Sequence, residues 1–275
     1  MIVMQCSILR AVLFNLHTQP LSMLYKFYSC NTGEETATLL KNILSGNTLL
    51  AADPKTFNDP FECKVVLDLE APVATRRERY RQDNPGCSES DFTRWIDGLD
   101  QSKWHVEQSS RQDIMAMHGI ACLTQGWENE LLWAHYAKHH TGFCIGYDAD
   151  VLAQWSEPIG LGDVEYEDDA PSFRFFHESE IEFVRNVAFT KSTCWAYEKE
   201  VRILFEGAGL KTLPPGAMRE VTVGCRASQE LRKVMSDVRV RYPELSLYQA
   251  SELPTRFRIV RDLIEPNRTR MTSHF

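Results

Sequence analysis

The segment formed by residues 194–205 constrains the fold of this chain more than any other. It begins with a cysteine and an aromatic residue, continues with a tight cluster of charges, and ends in an apolar run that predicts a strand. A buried strand has no structural need for Glu198, Lys199, Glu200 and Arg202 at its start. Charges in such a place pair with one another or face a cleft, so the functional site is expected here.

Composition limits the classes of protein to which the chain can belong. Its 275 residues are 43% hydrophobic and 25% charged, which is typical of a globular protein with a substantial core. The net charge of −8 argues against a broad nucleic-acid-binding surface. Residues 256–261 are locally basic, and we interpret them as a solvated face. No apolar stretch is long enough to predict a membrane span.

The cysteines indicate a reducing environment. There are eight of them, spread along the chain without a Cys-x-x-Cys pair, which predicts a cytoplasmic protein without disulfides. His135, His139, His140 and Cys144 are a conceivable zinc set. Because no second ligand pair has a typical spacing, no metal site is predicted.

Hydrophobic periodicity predicts the fold class. Helical and strand patterns are intermingled without a regular βαβ rhythm, which favours an α+β fold. We expect a single domain with a central bent or split mixed sheet flanked by helices. Residues 76–114 are charged, helical in pattern and broken at residues 85–86, so they predict a helical insertion. Residues 1–22 are expected to be a poorly ordered extension, 23–265 the domain and 266–275 a flexible tail.

An aromatic helix is a candidate binding surface. Trp133 and Tyr136 are three residues apart with His135 between them, a spacing that allows stacking on a flat ligand. The alternative is a core helix with a satisfied histidine. Asn58 and Asp59 also have two interpretations: they are candidate ligand contacts, or they form a turn.

Two closely spaced carboxylates are the candidate catalytic groups. Glu198 and Glu200 are two residues apart and would point to one face of a strand, where paired carboxylates perform acid–base chemistry or orient a hydroxyl. The alternative is charge pairing, with Lys191, Lys199 or Arg202 neutralising them.

With these segments identified, the chain resembles the DUF2971 family of uncharacterised bacterial proteins. The most specific match is Phe57-Asn58-Asp59-Pro60-Phe61-Glu62-Cys63. Further matching segments are residues 24–27, 43–49, 133–137, 142–148, 191–192, 195–203 and 223–225. The resemblance extends over about residues 24–226 and implies no established reaction.

A second resemblance implies an activity. The order of elements is similar to that of ADP-ribosyltransferases of the DNA-modifying toxin type. This similarity implies NAD as cofactor, with Tyr25 and Lys26 at its phosphates or ribose and Trp133 or Tyr136 stacked on nicotinamide. It also implies that Glu200 stabilises an oxocarbenium-like transition state while Glu198 positions an unknown macromolecular acceptor.

The sequence leaves two other functions open. One is a non-enzymatic protein of stress or mobile-element biology that binds a protein partner through residues 76–114. The other is a metal-dependent hydrolase or nuclease that uses Glu198, Glu200 and Asp59.

Overall fold

The computed structural model describes residues 13–16 and 22–265. Two compact units are formed by segments that alternate along the chain. Of the described residues, the first unit comprises 13–16, 50–122 and 156–210, and the second comprises 22–49, 123–155 and 211–265. The predicted extension, apart from residues 13–16 and 22, and the predicted tail lie outside the described residues, and these domain limits stay predictions.

The strands in chain order are β1 (Leu13–Leu16), β2 (Met23–Tyr28), β3 (Thr48–Ala51), β4 (Val66–Asp68), β5 (His118–Thr124), β6 (Phe143–Asp148), β7 (Gly160–Asp163), β8 (Glu165–Glu167), β9 (Ser172–Arg174), β10 (Thr190–Ser192), β11 (Glu200–Glu206), β12 (Gly209–Thr212), β13 (Met218–Val223), β14 (Ser246–Glu252) and β15 (Ile259–Leu263). The helices are α1 (Gly33–Gly46), α2 (Val73–Asp83), α3 (Glu89–Met117), α4 (Glu130–Tyr136), α5 (Ala149–Ala153), α6 (Glu180–Phe189) and α7 (Gln229–Arg241). The large mixed sheet and its flanking helices confirm the predicted α+β class.

In the first unit, neighbouring strands follow the order β1-β7-β11-β5. β1 runs parallel to β7, and β11 runs antiparallel to it. Two small parallel pairs, β8 with β10 and β4 with β9, complete its strands. α6 begins with a capping box in which the Ser179 hydroxyl accepts the Glu182 N–H, and the Glu182 carboxylate accepts the Ser179 N–H. Its apolar face joins a core that includes Leu67, Phe173 and Val187.

Helices α2 and α3 confirm the predicted helical insertion, with somewhat wider bounds. The break falls where the sequence places Pro85 and Gly86, and Gly86 adopts a left-handed φ of 83°. Tyr80, Phe92 and Trp95 form an aromatic cluster that joins the two helices.

In the second unit, β6 lies between β2 and β13 and is antiparallel to both. β14 runs parallel to β13 and antiparallel to β15. Helix α1 starts at a capping box of Thr32 and Glu35 and ends at Asn47 in left-handed conformation. Within the described part of the chain, no helix is long and apolar enough to cross a bilayer.

Gly224 provides a test of this packing. A Cβ at this position would lie 2.1 Å from the carbonyl oxygen of His140, and backbone has little room to move. We expect Gly224→Ala to lower the free energy of unfolding by at least about 2 kcal/mol in urea denaturation. In α3, a Cβ at Gly98 would meet no heavy atom within 4 Å, so the control Gly98→Ala should raise stability by about 1 kcal/mol. Equal effects of the two substitutions would contradict the described approach of residues 140 and 224.

Candidate functional site

A tight turn carries Glu62 into the interior of the first unit. The Asp59 carboxylate accepts the Phe61 N–H at 2.9 Å, and the Asp59 carbonyl accepts the Glu62 N–H at 3.2 Å. Arg111 fastens the turn by donating to the carbonyl oxygens of Pro60 and Glu62. Asp59 therefore stabilises the turn, which is one of the two interpretations from the sequence. Glu62, three residues later, is the carboxylate that the turn places in the interior.

A second turn brings Glu198 and Glu200 together. The expectation that both lie on one strand is wrong, because residues 193–198 form a 3₁₀ helix and the strand begins only at Glu200. Lys199 joins them in left-handed conformation, with φ 45° and ψ 52°. This reversal turns both carboxylates toward the same ammonium group, that of Lys191.

The three carboxylates and two cations form one buried ionic network, which we call the Lys191–Arg202 network. Lys191 Nζ lies 2.6 Å from Glu198, 3.1 Å from Glu200 and 3.4 Å from Glu62. Arg202 donates to Glu200 at 2.9 Å and to both Glu62 oxygens at 2.9 Å. No side chain of the network is more than 5% exposed. Charge pairing, the second alternative from the sequence, is therefore what the geometry shows for these two glutamates.

Glu200 and Lys191 keep their charged forms despite burial. Burial raises the pKa of the Glu200 carboxyl, but Arg202 and Lys191 overcome this effect and lower the pKa to about 2. Burial lowers the pKa of Lys191, yet Glu200, Glu198 and Glu62 bring the pKa above its ordinary value. Three carboxylates and two cations give the five side chains a formal charge of −1 together.

A cavity of about 290 Å³ opens beside Lys191. Its walls come from the first turn, from the loop after β8 and from β10, and consist of Phe61, Lys64, Glu167, Asp168, Asp169, Ala170, Pro171, Thr190, Lys191 and Ser192. The Trp195 ring centroid lies 4.9 Å from Lys191 Nζ. Lys191 thus belongs both to the cavity wall and to the buried network, which links the ionised carboxylates to a space large enough for a small ligand.

The sequence missed the acidic wall of this cavity and the role of Glu62. Glu167, Asp168 and Asp169 had the pattern of a solvated acidic loop, and Asp168 accepts a hydrogen bond from Thr193. Glu62 lies 140 residues from its partner Arg202. Asn58, predicted as a ligand contact, is exposed on the outside of the turn.

The remaining predicted cofactor contacts belong to the second unit. Trp133 is fully buried, donates its indole N–H to the Trp127 carbonyl at 2.7 Å and stacks on His140, as the core-helix alternative describes. Tyr25 is buried as well, whereas Lys26 and Tyr136 are half-buried and His135 is exposed.

Among the described residues, no group of three or more His, Cys, Asp or Glu side chains has the geometry to hold a metal ion. The glutamates that the metal-dependent hypothesis requires bind Lys191 and Arg202 instead. An ammonium and a guanidinium occupy the carboxylate oxygens from which a metal site would be built.

Comparison with protein families matches residues 132–203 to DUF2971, described as a protein of unknown function. The part of the chain that this match covers, residues 132–203, is called the DUF2971 segment. The match confirms the resemblance to DUF2971 over these residues and carries no activity. Neither the comparison with curated proteins nor that with solved structures gave a match.

The DUF2971 segment contains four of the five network residues. Lys191, Glu198, Glu200 and Arg202 lie within it, and Glu62 reaches the same cluster from outside it. The network is therefore the feature through which the DUF2971 segment is joined to the turn at residues 57–63.

Removing one carboxylate from the network should destabilise the protein strongly. Glu200→Gln leaves the buried Lys191 and Arg202 with less negative charge around them. We therefore expect this substitution to lower the free energy of unfolding, measured by urea denaturation, by about 3–5 kcal/mol. The matched control is Glu165→Gln, because Glu165 is 61% exposed and pairs with Arg185 at the surface. Glu165→Gln should lower the free energy of unfolding by less than about 1 kcal/mol. Similar small losses for both variants would contradict a stabilising network.

The depressed pKa of Glu200 also predicts a dependence on pH. Its ordinary pKa is 4.5 and its pKa in the folded protein is about 2, so its contribution is full above pH 4.5 and disappears as pH falls toward 2. The wild-type protein should therefore lose stability more steeply over this range than Glu200→Gln does. Urea unfolding at a series of pH values measures the difference, and parallel curves would show that Glu200 is not the titrating group.

Proposed function

We propose that the cavity beside Lys191 binds the positively charged nicotinamide ring of NAD+, and that the protein transfers ADP-ribose from it. The observation that carries this proposal is a cavity with three carboxylates and the Phe61 ring in its wall, directly beside a buried network with a formal charge of −1. The DUF2971 match gives no activity, so the proposal rests on this geometry together with the predicted similarity to ADP-ribosyltransferases.

The charges around the cavity favour a cation. The three carboxylates of residues 167–169 in its wall outnumber the two ammonium groups of Lys64 and Lys191. Phe61 is 64% exposed, and Lys64 Nζ lies 5.5 Å from its ring centroid, so this ring already contacts a cation. A ligand with a flat, positively charged ring gains from both features, because carboxylates attract its charge and the aromatic ring stacks on its face.

The same charges suit the proposed reaction. When the bond between nicotinamide and ribose breaks, the electron pair leaves with nicotinamide and positive charge develops on the ribose. Ionised carboxylates held in place beforehand stabilise such a charge without reorganising. We assign this role to Glu200, and assign the orientation of the attacking acceptor hydroxyl or amine to Glu198. As the new bond to ribose forms, the acceptor releases its proton to solvent water, and nicotinamide leaves as a neutral molecule.

Two expectations from the sequence stay predictions. Tyr25, Lys26, Trp133, His135 and Tyr136 are predicted NAD contacts that the proposed cavity site does not use, and a macromolecule is the predicted acceptor. The cysteines of the described residues are free thiols, which supports a cytoplasmic location.

The charge of the ring provides the sharpest binding test. NAD+ and NADH share every group except the charged ring, so calorimetric titration should show NAD+ binding on the order of tenfold more tightly. The 1-methylnicotinamide cation, which carries its methyl group on the ring nitrogen, should likewise bind more tightly than neutral nicotinamide. Asp169→Asn should reduce the preference for the charged member of each pair, whereas Glu165→Gln, which lies outside the cavity wall, should not. Equal affinities for NAD+ and NADH would overturn the proposal.

Turnover is tested by the release of nicotinamide from NAD+ in the presence of cell extract, followed by mass spectrometry of ADP-ribosylated products. Glu200→Gln should abolish release at a temperature where circular dichroism shows the variant to be folded. Release that persists in the folded variant would exclude Glu200 as the catalytic carboxylate.

Binding of a protein partner is the second candidate function. Trp104 on α3 is 63% exposed, which gives the helical insertion a large apolar contact residue. If neither NAD+ nor NADH binds, partner binding becomes the preferred function.

A further inference from the structure

We infer that an aromatic cage in the second unit is a binding site for a guanidinium group, and that the chain's own edge strand β15 occupies it through Arg261. An extended peptide of a partner protein with an apolar residue two positions before an arginine would compete for the same place. The cage is formed by Tyr25, Trp127, Tyr248, Glu220 and Thr222, and it plays no part in the proposed NAD chemistry.

Three aromatic rings surround the guanidinium group. The guanidinium carbon of Arg261 lies 4.0 Å from the ring centroid of Tyr248, 4.4 Å from that of Trp127 and 6.0 Å from that of Tyr25. A cation over one aromatic face is common, whereas three rings around one cation are typical of sites built to recognise organic cations.

Polar groups complete the recognition. Arg261 donates to the Glu220 carboxylate and, at 2.9 Å, to the Thr222 hydroxyl. The side chains of Arg261 and Glu220 are only 13% and 11% exposed, so this charge pair is shielded from water.

Gly146 makes room for the cage. A Cβ at this position would lie 2.5 Å from Glu220 Cγ and 3.0 Å from the Tyr25 ring. The glycine lets the carboxylate and the aromatic ring stand side by side on this face of the sheet.

Strand β15 is a replaceable occupant. It is the last strand in the order β13-β14-β15, and its backbone pairs with β14 from Glu252↔Ile259 to Tyr248↔Leu263. Of its side chains, Ile259 is 7% exposed and Arg261 is 13% exposed, whereas Asp262 and Leu263 are exposed. The side-chain contacts of this strand are thus concentrated in an apolar residue and an arginine two positions later.

The connection to β14 permits exchange. Residues 254–258, which connect β14 to β15, are all exposed. The end of β15 is held by the Ile264 N–H, which donates to the Leu247 carbonyl, and by the Arg239 side chain, which donates to the Ile264 carbonyl. A peptide that presents the same pattern would add to the edge of β14 in the way known for strand addition. Because β15 must first leave, the wild-type protein should bind such a peptide more weakly than a variant whose cage is empty.

A chemical rescue tests the cage directly. Arg261→Ala should melt at a lower temperature than the wild type, and ethylguanidinium should raise the melting temperature of this variant more than that of the wild type. Asp262→Ala, on the outward side of the same strand, should show neither the loss nor the selective rescue. Trp127 fluorescence provides a second readout of cage occupancy. Equal effects of ethylguanidinium on Arg261→Ala and the wild type would overturn the inference.

A peptide with the sequence of residues 258–265 tests replacement of the strand. It should bind Arg261→Ala on the order of tenfold more tightly than the wild type, and the same peptide with alanine in place of the arginine at position 261 should lose this gain. If Arg261→Ala does not fold, hydrogen exchange of the wild type replaces this comparison, and the peptide should then speed exchange in β15. No binding and no change in exchange would overturn the proposed replacement. A stable dimer formed without peptide would identify β15 of a second copy as the occupant and overturn the partner-peptide form of the inference.

Discussion

The bond between Arg202 and Glu62 is the contact on which the organisation of the first unit depends. It joins a turn in the first third of the chain to the middle of a buried strand, across 140 residues. A guanidinium with no exposed surface requires partners for its N–H groups, and Glu62, Glu200 and the Ala188 carbonyl provide them. Through these hydrogen bonds Arg202, itself on β11, connects this strand to the turn and to α6.

Burial gives this network two consequences that act in opposite directions. The Glu200 carboxylate is ionised and held in place, which is the condition for stabilising positive charge on a ligand. It is also bound by Lys191 and Arg202, so any ligand that uses it must approach from the side of Lys191, where the cavity lies. The proposed chemistry and the stability of the fold therefore depend on the same groups, and Glu200 substitutions must be assessed for both.

The sequence predicted those parts of the structure that depend on local patterns. The fold class, the helical insertion and its break followed from periodicity and from Pro85 and Gly86. The convergence of Glu198 and Glu200 was also predicted, although for the wrong reason, because the left-handed conformation of Lys199 rather than strand alternation produces it. Backbone conformation at a lysine has little local signature, so this turn could not be foreseen.

Long-range contacts explain the remaining differences. Glu62 gained its role from a partner far away in the chain, and periodicity carries no information about such a pair. Residues 256–261 were interpreted as a solvated face, which is correct for Arg256 and Arg258 but wrong for Arg261. Its environment depends on Trp127 and Tyr248, which reach it through the pairing of distant strands.

The left-handed residue between the two glutamates also determines how the same network can be recognised in other chains. A Glu-x-Glu pair by itself is common in exposed strands and has no diagnostic value. The middle position must accept a positive φ, which Gly, Asn and Asp do readily and which β-branched residues resist. A useful signature therefore combines a middle residue that is not β-branched, as Lys199 is not, with a lysine seven positions before the first glutamate and an arginine two positions after the second.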